Sequence, residues 1–313
     1  MSNHLIPFLR NLREKLWNTK AIRKELSDLK FEMAKYYLLD NILHCESPGI
    51  SDKKYCDKDI IVSLTTHGKR ISDVAYTIES VMQQTMLPNR IILNLDKSFE
   101  NATLPLSVSR QIDRGLEIKI VDDIRSYKKL IPTLISNPDA LIITIDDDLL
   151  YDHDIIERLF NSYLKHPGSI HALRTHTIRF DSHGYPMKYN KWKLETADTS
   201  NPFHLFPTTG GGVLFPPGCF NHDVFDRQTF MQICPTADDV WFHAMAVLNG
   251  TEIVKVPTRS TTGCEYVTNP NGQDIGLHHV NAGKTNNNDI QIRAVYAKFG
   301  IFKILTPSIL TQK

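Results

Sequence analysis

Four short apolar runs, each followed by a polar or acidic residue, constrain this chain more than any other feature. They are Ile60-Ile61-Val62-Ser63-Leu64, Ile91-Ile92-Leu93-Asn94-Leu95, Leu116 to Val121, and Leu141-Ile142-Ile143-Thr144-Ile145. Runs this rich in Ile, Leu and Val predict short strands, and the near-continuous ones predict strands buried on both faces. The stretches between them have helical spacing. Ser72 can cap a helix through Gln84, with Val74, Ile78 and Val81 on one face. Tyr127 to Ser136 reads as a helix interrupted early by Pro132, and Asp152 to Lys165 is helical again. Strand and helix alternating at this spacing predict βαβ units. The expected fold is therefore α/β: a Rossmann-like, mainly parallel sheet with helices on both faces.

Ligands of such sheets lie beyond the carboxyl ends of the strands. Those ends carry Thr65-Thr66, Asp96, Asp122-Asp123 and Asp146-Asp147-Asp148, so three of the four are acidic. The triplet is the most informative. Adjacent carboxylates repel unless a cation compensates, and hard oxygen ligands suit Mg2+ or Mn2+. Such an ion would neutralise a diphosphate and stabilise it as a leaving group. The bland alternative is an acidic loop at the start of a helix, a role Asp152 already fills.

After Ser169 the pattern is less regular, up to a helix over Asp238 to Leu248 and a strand over Glu252 to Val256. Gly210-Gly211-Gly212 lacks the lysine and Ser/Thr of a phosphate-binding loop. It serves either as a flexible turn or as a place where the backbone approaches a ligand closely.

Residues 1–50 differ from the rest. Leu5, Leu9, Leu12, Leu16, Ile22, Leu26, Leu29, Met33, Tyr36, Leu39 and Leu43 lay an apolar stripe along one helix. Arg10, Arg13, Lys15, Lys20, Arg23, Lys24 and Lys30 make it basic. A basic amphipathic helix over 5–43 packs on its own domain, lies on an anionic membrane surface, or pairs with a second copy. Ser47-Pro48-Gly49 reads as its stop.

With Lys+Arg 36 against Asp+Glu 35, net charge +1 invites no nucleic acid. The five cysteines are scattered with no C-x-x-C pair, which favours free thiols over a disulfide framework. No apolar run reaches the roughly 18–20 residues of a membrane span, and Met1 to Arg10 lacks a secretory pattern. The expected location is the cytoplasm, free or peripheral on the inner face of the cell membrane.

Thr77-Ile78-Glu79-Ser80-Val81-Met82-Gln83-Gln84-Thr85, then Pro88 and Arg90-Ile91-Ile92-Leu93, resembles the opening of family-two-like GT-A glycosyltransferases of bacterial surface-polysaccharide type. In that family a first strand leads into a helix ending S-V-x-x-Q-T, a proline and a second strand, and the aspartate triplet matches its D-x-D motif. The resemblance covers about residues 59–166. One departure is Asn94-Leu95-Asp96 in place of paired acids after the second strand. The resemblance implies that Asp148 coordinates the metal, with Asp146 on the donor ribose or the metal shell and Asp147 beside them. Thr65 and Asp96 would contact the nucleotide base, and Lys129 the nucleotide sugar. Each has a local alternative: a turn-satisfying hydroxyl for Thr65, an Asx turn for Asp96, a solvated surface lysine for Lys129. Thr236-Ala237-Asp238-Asp239-Val240-Trp241 resembles the element whose acid deprotonates the acceptor in inverting enzymes, with Asp239 as base and Asp238 as helix cap. His278 or His279 would add a metal ligand. His67, Lys69, Arg70 and Lys284 would offset diphosphate charge.

The expectation is thus a helical extension over 1–50 and a GT-A catalytic domain over 59–313. Residues 59–166 would form its nucleotide-sugar half and 167–313 its acceptor half. The expected reaction is transfer from a nucleoside-diphosphate sugar, UDP-linked, to a hydroxyl of a glycan or lipid-linked glycan, with Mn2+ or Mg2+. The alternatives are a sugar nucleotidyltransferase and a non-catalytic glycan- or nucleotide-binding module.

Overall fold

The computed structural model describes residues 5–259, 266–270 and 287–306, and for residues 5–18, 20 and 23 only their place in a helix. That helix, α1 (Leu5–His44), precedes the body. The first half of the body follows the expected alternation. It runs β1 (Ile60–Thr65), α2 (Val74–Met82), β2 (Arg90–Asp96), α3 (Leu106–Asp113), β3 (Leu116–Val121), α4 (Ile131–Ser136), β4 (Leu141–Thr144), β5 (Leu149–Tyr151) and α5 (Ile155–Lys165). The second half contains β6 (Ile170–Ala172), β7 (Thr175–Thr177), β8 (Leu205–Pro207), β9 (Val213–Phe215), α6 (Arg227–Ile233), α7 (Asp238–Leu248), β10 (Ile253–Lys255), β11 (Tyr266–Thr268), α8 (Asn287–Lys298) and α9 (Ile301–Leu305).

Seven strands form one sheet in the order β10-β6-β9-β4-β1-β2-β3. All neighbours are parallel except at β9, which runs against both β4 and β6. Alternate side chains of the central strands enter two separate cores, as a sheet covered on both faces requires. Ile61, Ile92, Ile142 and Phe215 join the residues of α6 to α9. Val62, Ile91, Leu93, Ile143 and Leu214 join those of α2, α3 and α5. Each such side chain contributes about 1.5–3 kcal/mol by burial. The architecture is Rossmann-like α/β, as the strand pattern predicts.

Several boundaries differ from expectation for local reasons. The segment Gly68–Ser72 forms a 3-10 turn, so α2 begins at Val74 after Asp73 and Ser72 does not cap it. Pro132 sits in the first turn of α4, where its missing N–H costs nothing, and the residues before it, Arg125–Lys129, form their own 3-10 turn. Asp152 does not start α5: β5 intervenes, the helix begins at Ile155, and the Asp152 carboxylate accepts from the N–H of His153. Among the described residues no helix is long and apolar enough to cross a membrane.

Candidate active site

β1 has β2 and then β3 on one side, while the chain returns to place β4 on the other. Strand order reverses there, which opens a crevice at the carboxyl ends of β1 and β4. A cavity of about 660 Å³ occupies this position.

The triplet enters it from β4, and its three carboxylates have separate fates. Asp146 faces the cavity with its side chain 42% exposed, and its carboxylate accepts from Lys129 Nζ at 2.8 Å. Asp147 is buried and accepts from Thr66 Oγ1 and from Arg70 at 2.6 Å. Asp148 pairs with the other arm of Arg70 at 2.9 Å. Arg70 is thus a clamp on the triplet. Burial, then Asp146 and Asp147, push the Asp148 carboxyl up to about 6, and Asp147 is raised chiefly by burial. The two cations do not offset all the negative charge gathered here.

The helix that carries the resemblance to glycosyltransferases holds this loop in place. Thr77 Oγ1 donates to the Asp147 carbonyl at 3.0 Å, Ser80 Oγ accepts from the N–H of Tyr151, and Gln84 Nε2 donates to the Asp152 carbonyl at 2.7 Å. On the other side, the Tyr151 hydroxyl accepts from the Asp146 N–H at 2.9 Å and donates to the Gly210 carbonyl. Gly210 lies so close that a Cβ there would stand 1.8 Å from Asp146 Oδ2. The expected close approach of this glycine segment is therefore to the carboxylate of Asp146.

The second acidic pair meets the first across Lys129, which bonds Asp146 and lies 3.2 Å from Asp238 Oδ2. Lys129 is 5% exposed, which excludes the solvated surface alternative. Burial works against its charge, but Asp146, Asp238 and Asp239 hold its pKa well above the usual lysine range. Asp238 does not cap α7. The cap position is Ala237, without a side-chain bond, and Asp238 lies buried in the first turn against Lys129 and Thr209. Asp239 accepts from the N–H of Thr209 at 2.8 Å and from its hydroxyl, and Thr209 is itself fixed through its carbonyl to Thr144 Oγ1 of β4. Burial, then Asp238, push the Asp239 carboxyl up to about 6.

At the β2 end, Thr65 and Asp96 line the cavity but are also locally employed. Thr65 Oγ1 donates to the Asn94 carbonyl at 2.7 Å. Asp96 accepts from the N–H and hydroxyl of Ser98, the expected Asx turn, and pairs with Lys128 at 3.2 Å. His67 lines the cavity too, and burial, then Arg70, lower its pKa. His278, His279 and Lys284 lie outside the described residues.

Three further contributors escaped the sequence reading, Thr209, Lys128 and an aromatic wall, and Thr66, read at its strand end, had no role assigned to it. Lys128 is buried between Asp96 and Asp123. His176, Tyr189 and Phe206 line the cavity, with Tyr189 at 5.7 Å from His176 and 6.2 Å from Phe206 by ring centroids. The signal for Thr66 and Lys128 was adjacency to residues already singled out. The aromatic residues come from three segments of irregular sequence that no spacing connects.

The donor set suits a hard divalent cation. Asp146 and Asp148 supply carboxylate oxygens at the cavity, and burial, then the neighbouring carboxylates, raise the Asp148 carboxyl. Among the described residues no group of three or more His, Cys, Asp or Glu forms a full metal cage.

No protein-family model matches this sequence, and no curated protein matches it. Among solved structures, the chain is similar to CMP:2-keto-3-deoxy-manno-octonic acid synthetase complexed with CTP. The identity is 11% and the TM-score 0.37, over 65% of this chain and 91% of that one. A likeness so distant carries no argument about chemistry, which rests on the geometry of the cavity.

Proposed function

We propose that the protein is a divalent-metal-dependent glycosyltransferase. It would move a sugar from a nucleoside-diphosphate sugar, UDP-linked in the first instance, to a hydroxyl of a glycan or lipid-linked glycan, in the cytoplasm or at the inner membrane face. One observation carries this reading: a single cavity holds the strand-end carboxylates Asp146 and Asp148 and the helix-start carboxylate Asp239, with Lys129 between the two groups.

Transfer from such a donor needs the leaving diphosphate neutralised and the acceptor hydroxyl deprotonated. Mn2+ or Mg2+ held by Asp146 and Asp148 would supply the first. Asp239 supplies the second. A carboxylate near 6 is ionised at neutral pH and is a stronger base than an ordinary aspartate. Thr209 fixes the direction of that carboxylate, and an acid on the acceptor side gives an inverting reaction. Lys129 keeps its proton throughout and stands as a fixed positive charge beside the donor. Thr65 and Asp96 face the nucleotide, and Tyr189 with Phe206 offers an apolar face to an acceptor sugar ring.

A sugar nucleotidyltransferase would want a basic, glycine-rich phosphate loop after β1. Here that loop has the single glycine Gly68, and its Arg70 is bound to Asp147 and Asp148. The test is calorimetric titration with UDP and Mn2+, followed by a nucleotide-sugar screen for metal-dependent release of UDP. Asp148→Ala should abolish metal-dependent UDP binding with the fold intact. Unchanged affinity would remove the metal assignment, and pyrophosphate release from a nucleoside triphosphate and a free sugar would favour the nucleotidyltransferase.

A further inference from the structure

Helix α1 is apolar on two opposite sides, and the body uses one of them. Phe31, Leu38 and Ile42 are 0%, 5% and 1% exposed, packed with Leu150 and the α2 side of the body. The other side faces outward: Ile22, Leu26, Leu29, Met33, Tyr36 and Leu43 are each between 38% and 72% exposed. At about 100° per residue the two rows lie on opposite faces of the helix.

The outward row has a period. Ile22, Leu26, Leu29, Met33, Tyr36, Asp40 and Leu43 are separated by alternating steps of four and three, the heptad repeat of a coiled-coil seam. With Leu26 and Met33 at a, and Leu29 and Tyr36 at d, Glu25 and Glu32 fall at g while Arg23 and Lys30 fall at e. Phe31, Ala34, Leu38 and Ile42 fall at the back of the heptad, at f, b, f and c, so packing on the body leaves the seam clear. In sequence the same steps continue to Leu12, Phe8 and Leu5, through Lys15 and Thr19. Sustained over about three to four heptads, such a repeat specifies a helical partner, whereas a membrane-lying helix needs no 3.5-residue period.

The flanking charges choose the partner. In a parallel, in-register pair, a g residue meets the e residue five positions later on the other helix. Glu25 then faces Lys30 of the second copy, twice by symmetry. An antiparallel pair brings g against g and e against e, which sets Glu against Glu and Lys against Lys.

We propose that α1 joins two copies of this chain as a parallel, in-register coiled coil through Leu26, Leu29, Met33 and Tyr36. Asp40 sets carboxylate against carboxylate across such a pair and costs it stability, so the apolar positions on its N-terminal side carry the association.

Light scattering on the full chain should give about twice the 35.8 kDa of one chain at micromolar concentration. The double substitution Leu26→Asp with Leu29→Asp should give a monomer whose body retains its thermal unfolding midpoint. Glu25→Lys should weaken the dimer about tenfold, and Glu25→Lys with Lys30→Glu should restore it. A monomer at every concentration overturns the proposal, as does a dimer that survives the Asp substitutions. So does a dimer tightened by Glu25→Lys alone. A chain that is monomeric and floats with anionic vesicles, and loses flotation on Leu26→Asp with Leu29→Asp, would give this face to lipid instead.

Discussion

Asp238 and Asp239 are adjacent in sequence, and their surroundings give them different work. Asp238 is tied to Lys129, a permanent cation, and belongs to the electrostatic bridge between the two acidic groups. Asp239 accepts from the neutral donors of Thr209, and its carboxyl is raised to about 6 by burial and by Asp238. Asp239→Asn keeps size and most hydrogen bonding, so donor and metal affinity should survive while turnover falls about a hundredfold or more. Asp238→Asn should lower donor affinity as well, because it loosens Lys129. Steady-state kinetics beside UDP titration separates the two, and normal turnover in Asp239→Asn would move the base elsewhere. The acid limb of kcat/KM should lie near pH 6: below it the Asp239 cluster holds a proton and cannot accept another. Gly210→Ala makes a different demand. Its Cβ would drive into the Asp146 carboxylate, which Lys129 pins from the other side, so metal-dependent UDP binding should weaken at least tenfold. An unchanged titration would show that Asp146 has room to move.

At the scale of elements, what could be read from sequence followed burial. Strands buried on both faces must be apolar throughout, so β1, β2 and β4 stood out from composition alone, and the site at their ends followed from topology. The three-residue strands β6 to β9 are too short to carry a period, and their register comes from pairing across the sheet. His176 and Phe206 of the aromatic wall were hidden for that reason. Asp238 was misjudged as a cap because local sequence shows a helix start but not a lysine 109 positions upstream. Helix α1 was found correctly as one helix, yet the described part of its apolar stripe, Ile22, Leu26, Leu29, Met33, Tyr36 and Leu43, is turned to solvent. The face that packs, Phe31, Leu38 and Ile42, is sparser and was overlooked. Removal of residues 1–24 should therefore leave thermal unfolding of the body nearly unchanged, whereas Phe31→Ala in the full chain should cost about 3 kcal/mol. Denaturant unfolding followed by circular dichroism checks both, and equal losses would mean that the N-terminal end of α1 also supports the body.

For the whole molecule, the raised carboxyls of Asp147, Asp148 and Asp239 act against a set of histidines in deciding stability as pH falls. Burial lowers His171 and His243 to about 4 and His176 to about 3. The His176 ring accepts the N–H of Glu195 on Nδ1, which requires the neutral form. Unfolded, these three rings take protons near their ordinary 6.5, so their stabilisation is present above 6.5 and is lost as pH falls. Asp148 and Asp239 have the opposite sign. Their folded carboxyls take protons near 6 and their unfolded ones only near 3.8, so between those values acid favours the folded state. Asp147, also raised, adds to the offset and His67, also lowered, adds to the loss; the larger displacements of the buried histidines decide the sign, and the ligand-free protein should lose thermal stability gradually from pH 6.5 toward 4. UDP with Mn2+ changes this balance, because a metal on Asp148 holds that carboxylate ionised. The ligand-bound protein loses the Asp148 offset, so its midpoint should fall more steeply with acid. The rise in Tm produced by UDP and Mn2+ should then be largest at pH 7 and shrink toward pH 5, as protons compete for the same oxygens. Asp148→Asn should remove the rise at every pH while the slope of the free protein becomes steeper, since one of the offsetting carboxyls is gone. A Tm increment that stays constant from pH 7 to 5 would place the bound ion away from Asp148.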